Sequence, residues 1–330
     1  MDKKKLLEEL NKLEADQIAE LIPLIIRKCF PKPENWKDYY YKYFPYWEKN
    51  GFHVTLNHFY SPLPEVYKLN NELWDKIPPT PNLDFKEKDQ LALLNEFSKF
   101  QKEYNDIPIK KTATANQYYL LNGKYDGIDG YSLYCMIRHF KPKRIIEIGS
   151  GFSTLLTAQA CLKNKEENGE DTKLIAIEPF PSNFLKAGFP GLSELITKKI
   201  QDADLKLFDQ LQAGDFLFID SSHVLKIDSD VKLEYTNILP RLKKDVIVHV
   251  HDIFLPAEYP KEFIFGLLFL FNEQYLVQSI LANSDNYEIL WAGHYMYLNH
   301  FNKLMKVFPN YKKIKKSPTH FSSCWIKKIK

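Results

Sequence analysis

The chain has 330 residues, enough for one large domain or two ordinary ones with a substantial core. An apolar content of 45% excludes wholesale disorder, and 45 Lys and Arg against 42 Asp and Glu, mixed along the chain, give no nucleic-acid footprint. The four cysteines, Cys29, Cys135, Cys161 and Cys324, form no CxxC pair and read as free thiols of a reducing compartment rather than as a disulfide scaffold.

The opening MDKKKLLEELNKLEAD is charged throughout and has no secretory apolar core. The longest apolar run, Phe263–Phe271, falls well short of the roughly 20 residues of a membrane span. The expectation is a cytoplasmic protein with no membrane span. Leu6, Leu7, Leu10, Leu13, Ile18 and Leu21 fall at helical spacings and predict one or two amphipathic helices. Prolines at 31, 33, 45, 62 and 64 then interrupt a stretch crowded with Tyr39, Tyr40, Tyr41, Tyr43, Phe44, Tyr46 and Trp47. That stretch reads as irregular chain, either a cap over a ligand site or a packing seam or dimer interface, which leaves a homo-oligomer open. Leu91, Leu94, Phe97 and Phe100 predict a further helix within 86–104. Residues 1–110 are therefore expected to form an N-terminal helical, aromatic-rich cap.

From about residue 130 short apolar strands alternate with helices. The expected strands are Arg144–Ile148, Lys173–Glu178, Leu195–Ile200, Asp215–Asp220, Asp245–His251, Tyr287–Tyr297 and Ser322–Ile329. Helices are expected over Ser153–Lys163 and Glu262–Leu281. Such alternation predicts parallel pairing with both sheet faces covered. The fold class expected is α/β, a doubly wound, mainly parallel seven-stranded sheet over 111–330. The basic run Lys312, Lys313, Lys315 and Lys316 reads as solvated surface or as contact with an anionic partner.

In an open parallel sheet, ligands bind beyond the carboxyl ends of the strands. The first strand-to-helix turn is EIGSGFST, in which Gly149 and Gly151 let the backbone bend and approach a ligand. Ser153 or Thr154 follows as a helix cap, and helix N-terminal amides favour an anionic group. A dinucleotide fingerprint wants a third glycine where Thr154 stands, which disfavours NAD or FAD. With Glu147 two residues before Gly149, the segment resembles the acidic-x-Gly-x-Gly loop of the class I S-adenosylmethionine-dependent methyltransferases. The resemblance implies the fold named above and a cofactor contacted by Glu147, Gly149, Ser150, Gly151 and Ser153. It also implies that Glu178 holds the ribose hydroxyls, that Asp202 contacts the adenine and that Asp220 borders cofactor and substrate. Glu178 stands 29 residues after Gly149, and the polar insert 164–172 accounts for the excess over roughly 20.

Two polar segments end the fourth and fifth expected strands: Asp220, Ser221, Ser222 and His223, then His249, Val250, His251 and Asp252. Alternation puts His249 and His251 on one side of the sheet. A histidine of near-neutral pKa removes a proton from a hydroxyl or amine, so His223 or His251, with Asp252, is the candidate catalytic set. His249, inside a strand, reads as a core residue. The catechol-type members of the same class hold a divalent metal on one Asp and a following Asp-Asn pair. Asp220 and Asp252 match, but Ile253 replaces the Asn, so a divalent metal at Asp220, His251 and Asp252 is a second expectation. The function expected is O-methylation of a small polar acceptor, a sugar or natural-product intermediate. The alternatives are N- or peptide methylation, or a non-catalytic nucleotide-binding module.

Overall fold

The computed structural model describes residues 2–29, 41–313 and 321–330. Within it the chain divides into two compact units, 1–68 and 69–330. In the first unit, α1 (Lys3–Leu10) and α2 (Ala15–Cys29) carry the expected apolar spacing, and a short helix, α3, covers Phe44–Lys49. Tyr41 and Tyr46 of the aromatic stretch are exposed; Tyr39, Tyr40, Lys315 and Lys316 lie outside the described residues.

The second unit is built on seven strands: β1 (Arg144–Ile148), β2 (Lys173–Ile177), β3 (Glu194–Ile196), β4 (Phe216–Ile219), β5 (Ile247–Val250), β6 (Tyr287–Ala292) and β7 (Cys324–Lys328). Their order is β3-β2-β1-β4-β5-β7-β6, parallel except that β7 runs antiparallel to both its neighbours. The strand order reverses between β1 and β4, which places the crevice of a doubly wound sheet there. This is the α/β architecture expected from the sequence.

Alternation along the strands builds two cores. Ile145, Phe216, Phe218 and Ile247 face one side with Trp291 and Trp325, while Ile146, Ile148, Leu217, Ile219, Val248 and Val250 face the other. The first face is covered by α4 (Glu87–Phe97), α5 (Gly127–Phe140) and α6 (Phe152–Asn168). Leu94 and Phe97 of α4 are buried there, so the helix read from the 86–104 spacing belongs to the sheet's own core. Arg138 of α5 is buried too, and its guanidinium is satisfied by Glu103, Glu167 and Asn164.

Besides shifts at element ends, such as α6 running on to Asn168 rather than Lys163, three differences from the sequence reading change an element. The apolar run 262–281 is not one helix: a π-helical turn spans Glu262–Gly266, an irregular stretch follows, and α7 begins only at Glu273 and ends at Asn283. The strand expected over 287–297 stops at Ala292, where α8 (Gly293–Val307) begins. Gly293 fits the switch because its amide donates to Ser323 O at 2.9 Å, while an added Cβ would meet that same oxygen at 3.1 Å. Finally, β3 covers only Glu194–Ile196, and a 3₁₀ turn occupies Ile200–Asp202.

Candidate functional site

At the end of β1, Gly149 takes φ +77°, and its amide donates to Ile177 O of β2 at 3.0 Å. A Cβ at this position would lie 1.8 Å from the Asp220 carbonyl oxygen at the end of β4. Only glycine therefore lets the two central strand ends meet, and the loop begins pressed against Asp220. The next residues are pinned by side chains: Ser150 N donates to Glu178 Oε2 at 3.2 Å and Gly151 N to Thr154 Oγ1 at 2.9 Å. Of the two residues expected at the helix cap, Thr154 makes the capping bond, accepting from the Gly151 amide, and Ser153 does not. Its hydroxyl turns back to donate to Glu147 Oε1 at 2.5 Å.

Glu147 is fully buried, and its second carboxyl oxygen has no hydrogen-bond partner among the described residues. Burial pushes its pKa up to about 8 against the opposing bonds from Ser153 and Thr154, so the group is mostly protonated at neutral pH. Glu178, at the end of β2, accepts from Phe180 N at 2.8 Å as well as from Ser150 N.

Two adjoining cavities open here. The larger, about 480 Å³, runs from Gly149 and Glu178 past Lys199 and Gln201 to Ser221 and Asp230. The smaller, about 420 Å³, runs from the same Gly149 and Glu178 over Ser150–Ser153 to Lys124, Tyr125, His251 and Asp252. Gly149, Glu178, Phe180 and Asp220 line both. These sizes lie in the range of small-molecule sites. Asp202, expected at the adenine, is exposed and lines neither cavity; its neighbour Gln201 does, because the 3₁₀ turn at 200–202 points it inward.

Beyond Asp220 lies a network in which two imidazoles face four carboxylates. His223 Nδ1 is 2.8 Å from Glu273 Oε2, and its Nε2 is 3.3 Å from Asp220 Oδ1 and 3.7 Å from Asp252 Oδ2. His251 Nδ1 is 3.4 Å from Asp220 Oδ1 and 3.6 Å from Asp252 Oδ1, with Nε2 3.8 Å from Asp129 Oδ2. Asp129 is anchored in turn by the amides of Ser322 and Ser323 at 2.8 and 3.0 Å. Both His223 and Asp252 hold their backbones at positive φ, +59° and +54°, the kind of strain kept where the surrounding structure over-determines it.

The charges follow from this geometry. Burial opposes the imidazolium at both histidines, but the carboxylates outweigh it. Asp220 and Glu273 raise His223 well above the ordinary value of 6.5, and Asp220, Asp252 and Asp129 do the same for His251. A histidine of near-neutral pKa is therefore not what the structure shows. Burial likewise works against the Asp220 carboxylate, yet His251 and His223 hold it well below the usual range. His249 lies between Phe218 and Trp325, with ring centroids at 4.1 and 4.6 Å. Burial and the neighbouring His251 charge keep it neutral, in keeping with a core residue.

Sequence reasoning missed Asp129, Glu273, Lys124, Tyr125, Gln201 and Ser322, none of which sits at a strand end. Asp129 was the detectable one, the single acidic residue of α5, in its first turn among Gly127, Ile128 and Gly130. Of the expected residues, His251 and Asp252 reach the smaller cavity, while His223 stands behind them against Glu273. Among the described residues, no group of three or more His, Cys, Asp or Glu side chains is arranged to hold a metal ion. The trio Asp220, His251 and Asp252 is instead arranged as ion pairs. Among the same residues no helix is long and apolar enough to cross a membrane.

A family model described as a methyltransferase domain matches residues 146–253, from the middle of β1 to just past β5. An uncharacterized protein of Archaeoglobus fulgidus is 32% identical over 165 residues, covering 47% of this chain and 72% of that protein. Among solved structures, an O-methyltransferase from Bacillus cereus in complex with SAH is 14% identical. The match covers 71% of this chain and 89% of that one, at a TM-score of 0.35. The matched segment contains the glycine loop, Glu178, Asp220, His223, His251 and Asp252. By that family match residues 146–253 form a methyltransferase domain, set in a doubly wound, mainly parallel seven-stranded sheet.

Proposed function

We propose that the chain transfers the methyl group of S-adenosylmethionine to a hydroxyl oxygen of a small polar acceptor, such as a sugar or a natural-product intermediate. The observation that carries this reading is that the glycine loop and the polar end of β5 line one cavity. The adenosine half of the cofactor is assigned to the larger cavity, with Glu178 accepting from its ribose and Gln201 beside the base. The amino-acid half is assigned to the smaller cavity, over Gly149, Ser150, Gly151 and Ser153, with Glu147 beneath.

Bound S-adenosylmethionine supplies an electrophilic methyl group on a sulfonium. The chain's own residues do the rest. Asp220, shared by both cavities, is held ionised and presents negative charge at the junction where a cationic centre would sit. His251, on β5 and flanked by Asp252, takes the acceptor's proton as its oxygen attacks, and it does so only when neutral. His223 positions Asp220 and Asp252 from behind, itself held by Glu273.

The test is a panel of polyhydroxylated, amine and peptide acceptors incubated with cofactor carrying a ¹³C-labelled methyl group. The expected result is S-adenosylhomocysteine release with the label on oxygen. Label on nitrogen from every productive acceptor would overturn the choice of atom. The cofactor assignment has its own test in Glu178→Ala, which is expected to weaken S-adenosylhomocysteine binding by about 1.5–3 kcal/mol, the scale of hydrogen bonds to a charged group. Unchanged affinity by calorimetry would remove Glu178 from the site.

A further inference from the structure

We infer that Lys124 is the binding residue for the α-carboxylate of the cofactor, presented by a turn that holds it rigidly at the mouth of the smaller cavity. The inference rests on the cofactor placement proposed above. Among the described residues Lys124 is the only lysine or arginine lining that cavity; the carboxylates of Glu178, Asp220 and Asp252 line it too, and the imidazole of His251 is already engaged by Asp220 and Asp252. An amino-acid moiety there brings one negative group, its carboxylate, into surroundings that are mostly acidic. A fixed cation is what such a group requires.

The turn explains how an exposed lysine stays in place. Asn122 Oδ1 accepts from the amides of Lys124 and Tyr125 at 3.0 and 2.9 Å, while its Nδ2 donates to Tyr119 O and Tyr125 O at 2.8 and 2.9 Å. From the other side, Asp126 Oδ1 accepts from the amides of Asn122 and Gly123 at 2.8 and 2.7 Å. Gly123, at φ +76°, supplies the left-handed residue the reversal needs. Tyr125 is buried against His251, with ring centroids 4.7 Å apart, and anchors the turn to the end of β5. Lys124, its immediate neighbour, stays at the surface and faces the cavity. The first amides of α6, which begins in the same lining at Phe152, lack intrahelical partners and add donors for the same anion.

The experiment compares two ligands by calorimetry. S-adenosylhomocysteine carries the carboxylate; 5′-methylthioadenosine keeps the adenosine and the sulfur but lacks it. Lys124→Met, which keeps the apolar stem, is expected to weaken S-adenosylhomocysteine about fivefold, as suits a solvent-accessible ion pair. It should leave 5′-methylthioadenosine unchanged, and Lys124→Arg should restore the carboxylate-bearing ligand. Added salt is expected to weaken S-adenosylhomocysteine in the wild type and to have less effect in Lys124→Met. Undiminished S-adenosylhomocysteine binding in Lys124→Met, or equal weakening of both ligands, would overturn the inference while leaving the cofactor placement intact. A wild-type chain that binds neither ligand would overturn the placement and the inference together.

Discussion

His251→Ala is expected to lower kcat by about 10²–10⁴-fold, the range of a lost general base, while leaving S-adenosylhomocysteine affinity unchanged. The pH profile of the wild type should show why. Asp220, Asp252 and Asp129 hold the His251 imidazolium above its ordinary 6.5, so the neutral, proton-accepting form grows only at higher pH. Turnover therefore rises with pH and reaches its plateau later than an unperturbed histidine would give. Stability runs the other way. A group whose folded-state pKa is raised contributes fully below its unfolded value of about 6.5, and that contribution is lost as pH rises through the folded value. The melting temperature is thus expected to fall over the same interval in which activity climbs. Chelation separates this account from a metal that lowers the pKa of a bound hydroxyl, which would also give a rising profile. Activity indifferent to chelator and lost in His251→Ala is the expected pair of results. Activity removed by chelator, restored by one of Mg, Mn, Fe or Zn and absent in Asp252→Ala would transfer the role to a metal. Full turnover in His223→Ala, His251→Ala and Asp252→Ala would leave the reaction to proximity and orientation alone.

Gly149→Ala and Gly151→Ala are expected to fail in different ways. At Gly149 a side chain must adopt φ +77° and push its Cβ into the Asp220 carbonyl. Backbone strain and overpacking, each of the order of 1–3 kcal/mol, together reach about 2–6 kcal/mol, a large part of the stability of an ordinary domain. Expected are a markedly lowered melting temperature and no measurable cofactor binding, because β1 and β4 cannot both hold their ends in place. Gly151 has an extended φ, and a Cβ there meets nothing within 4 Å. Gly151→Ala should fold as the wild type does and lose affinity, since the added methyl group enters the smaller cavity. Equal melting temperatures for the two variants would show that the contact between Gly149 and Asp220 is not a constraint on the fold.

The parts of this site that could be read from the sequence are those where chemistry and strand periodicity coincide. EIGSGFST announces a strand, a tight turn and a helix in eight residues, and Glu178, Asp220, His251 and Asp252 each interrupt an apolar run where a strand ends. Glu273 and Asp129 escaped because they meet their histidines across 50 and 122 residues, and nothing local marks such a pairing. Asp202 rests on the family resemblance alone; in the structure it is exposed in the 3₁₀ turn after β3, and its neighbour Gln201 lines the larger cavity. The misread strand 287–297 has its own cause. Tyr, Trp and Ile suit a strand through Ala292, but beyond it helical packing buries Met296, Leu304 and Met305, and tertiary context overrides local preference.

The antiparallel seat of β7 bears on the order in which the protein is made. Among the described residues β5 has two neighbours, β4 and β7, and β6 pairs only with β7. A growing chain that has passed Ala292 but not reached residue 324 holds β5 with one edge open and β6 with no ladder at all. The open edge is Ile247–Val250, an apolar strand of the kind that templates pairing between chains. Ser322, just ahead of β7, supplies the amide that fixes Asp129 behind His251, so the network of His251 and its carboxylates cannot close before that point either. Completion of the sheet and closure of that network are one late, long-range event, and the interval before it leaves the edge of β5 open to pairing between chains.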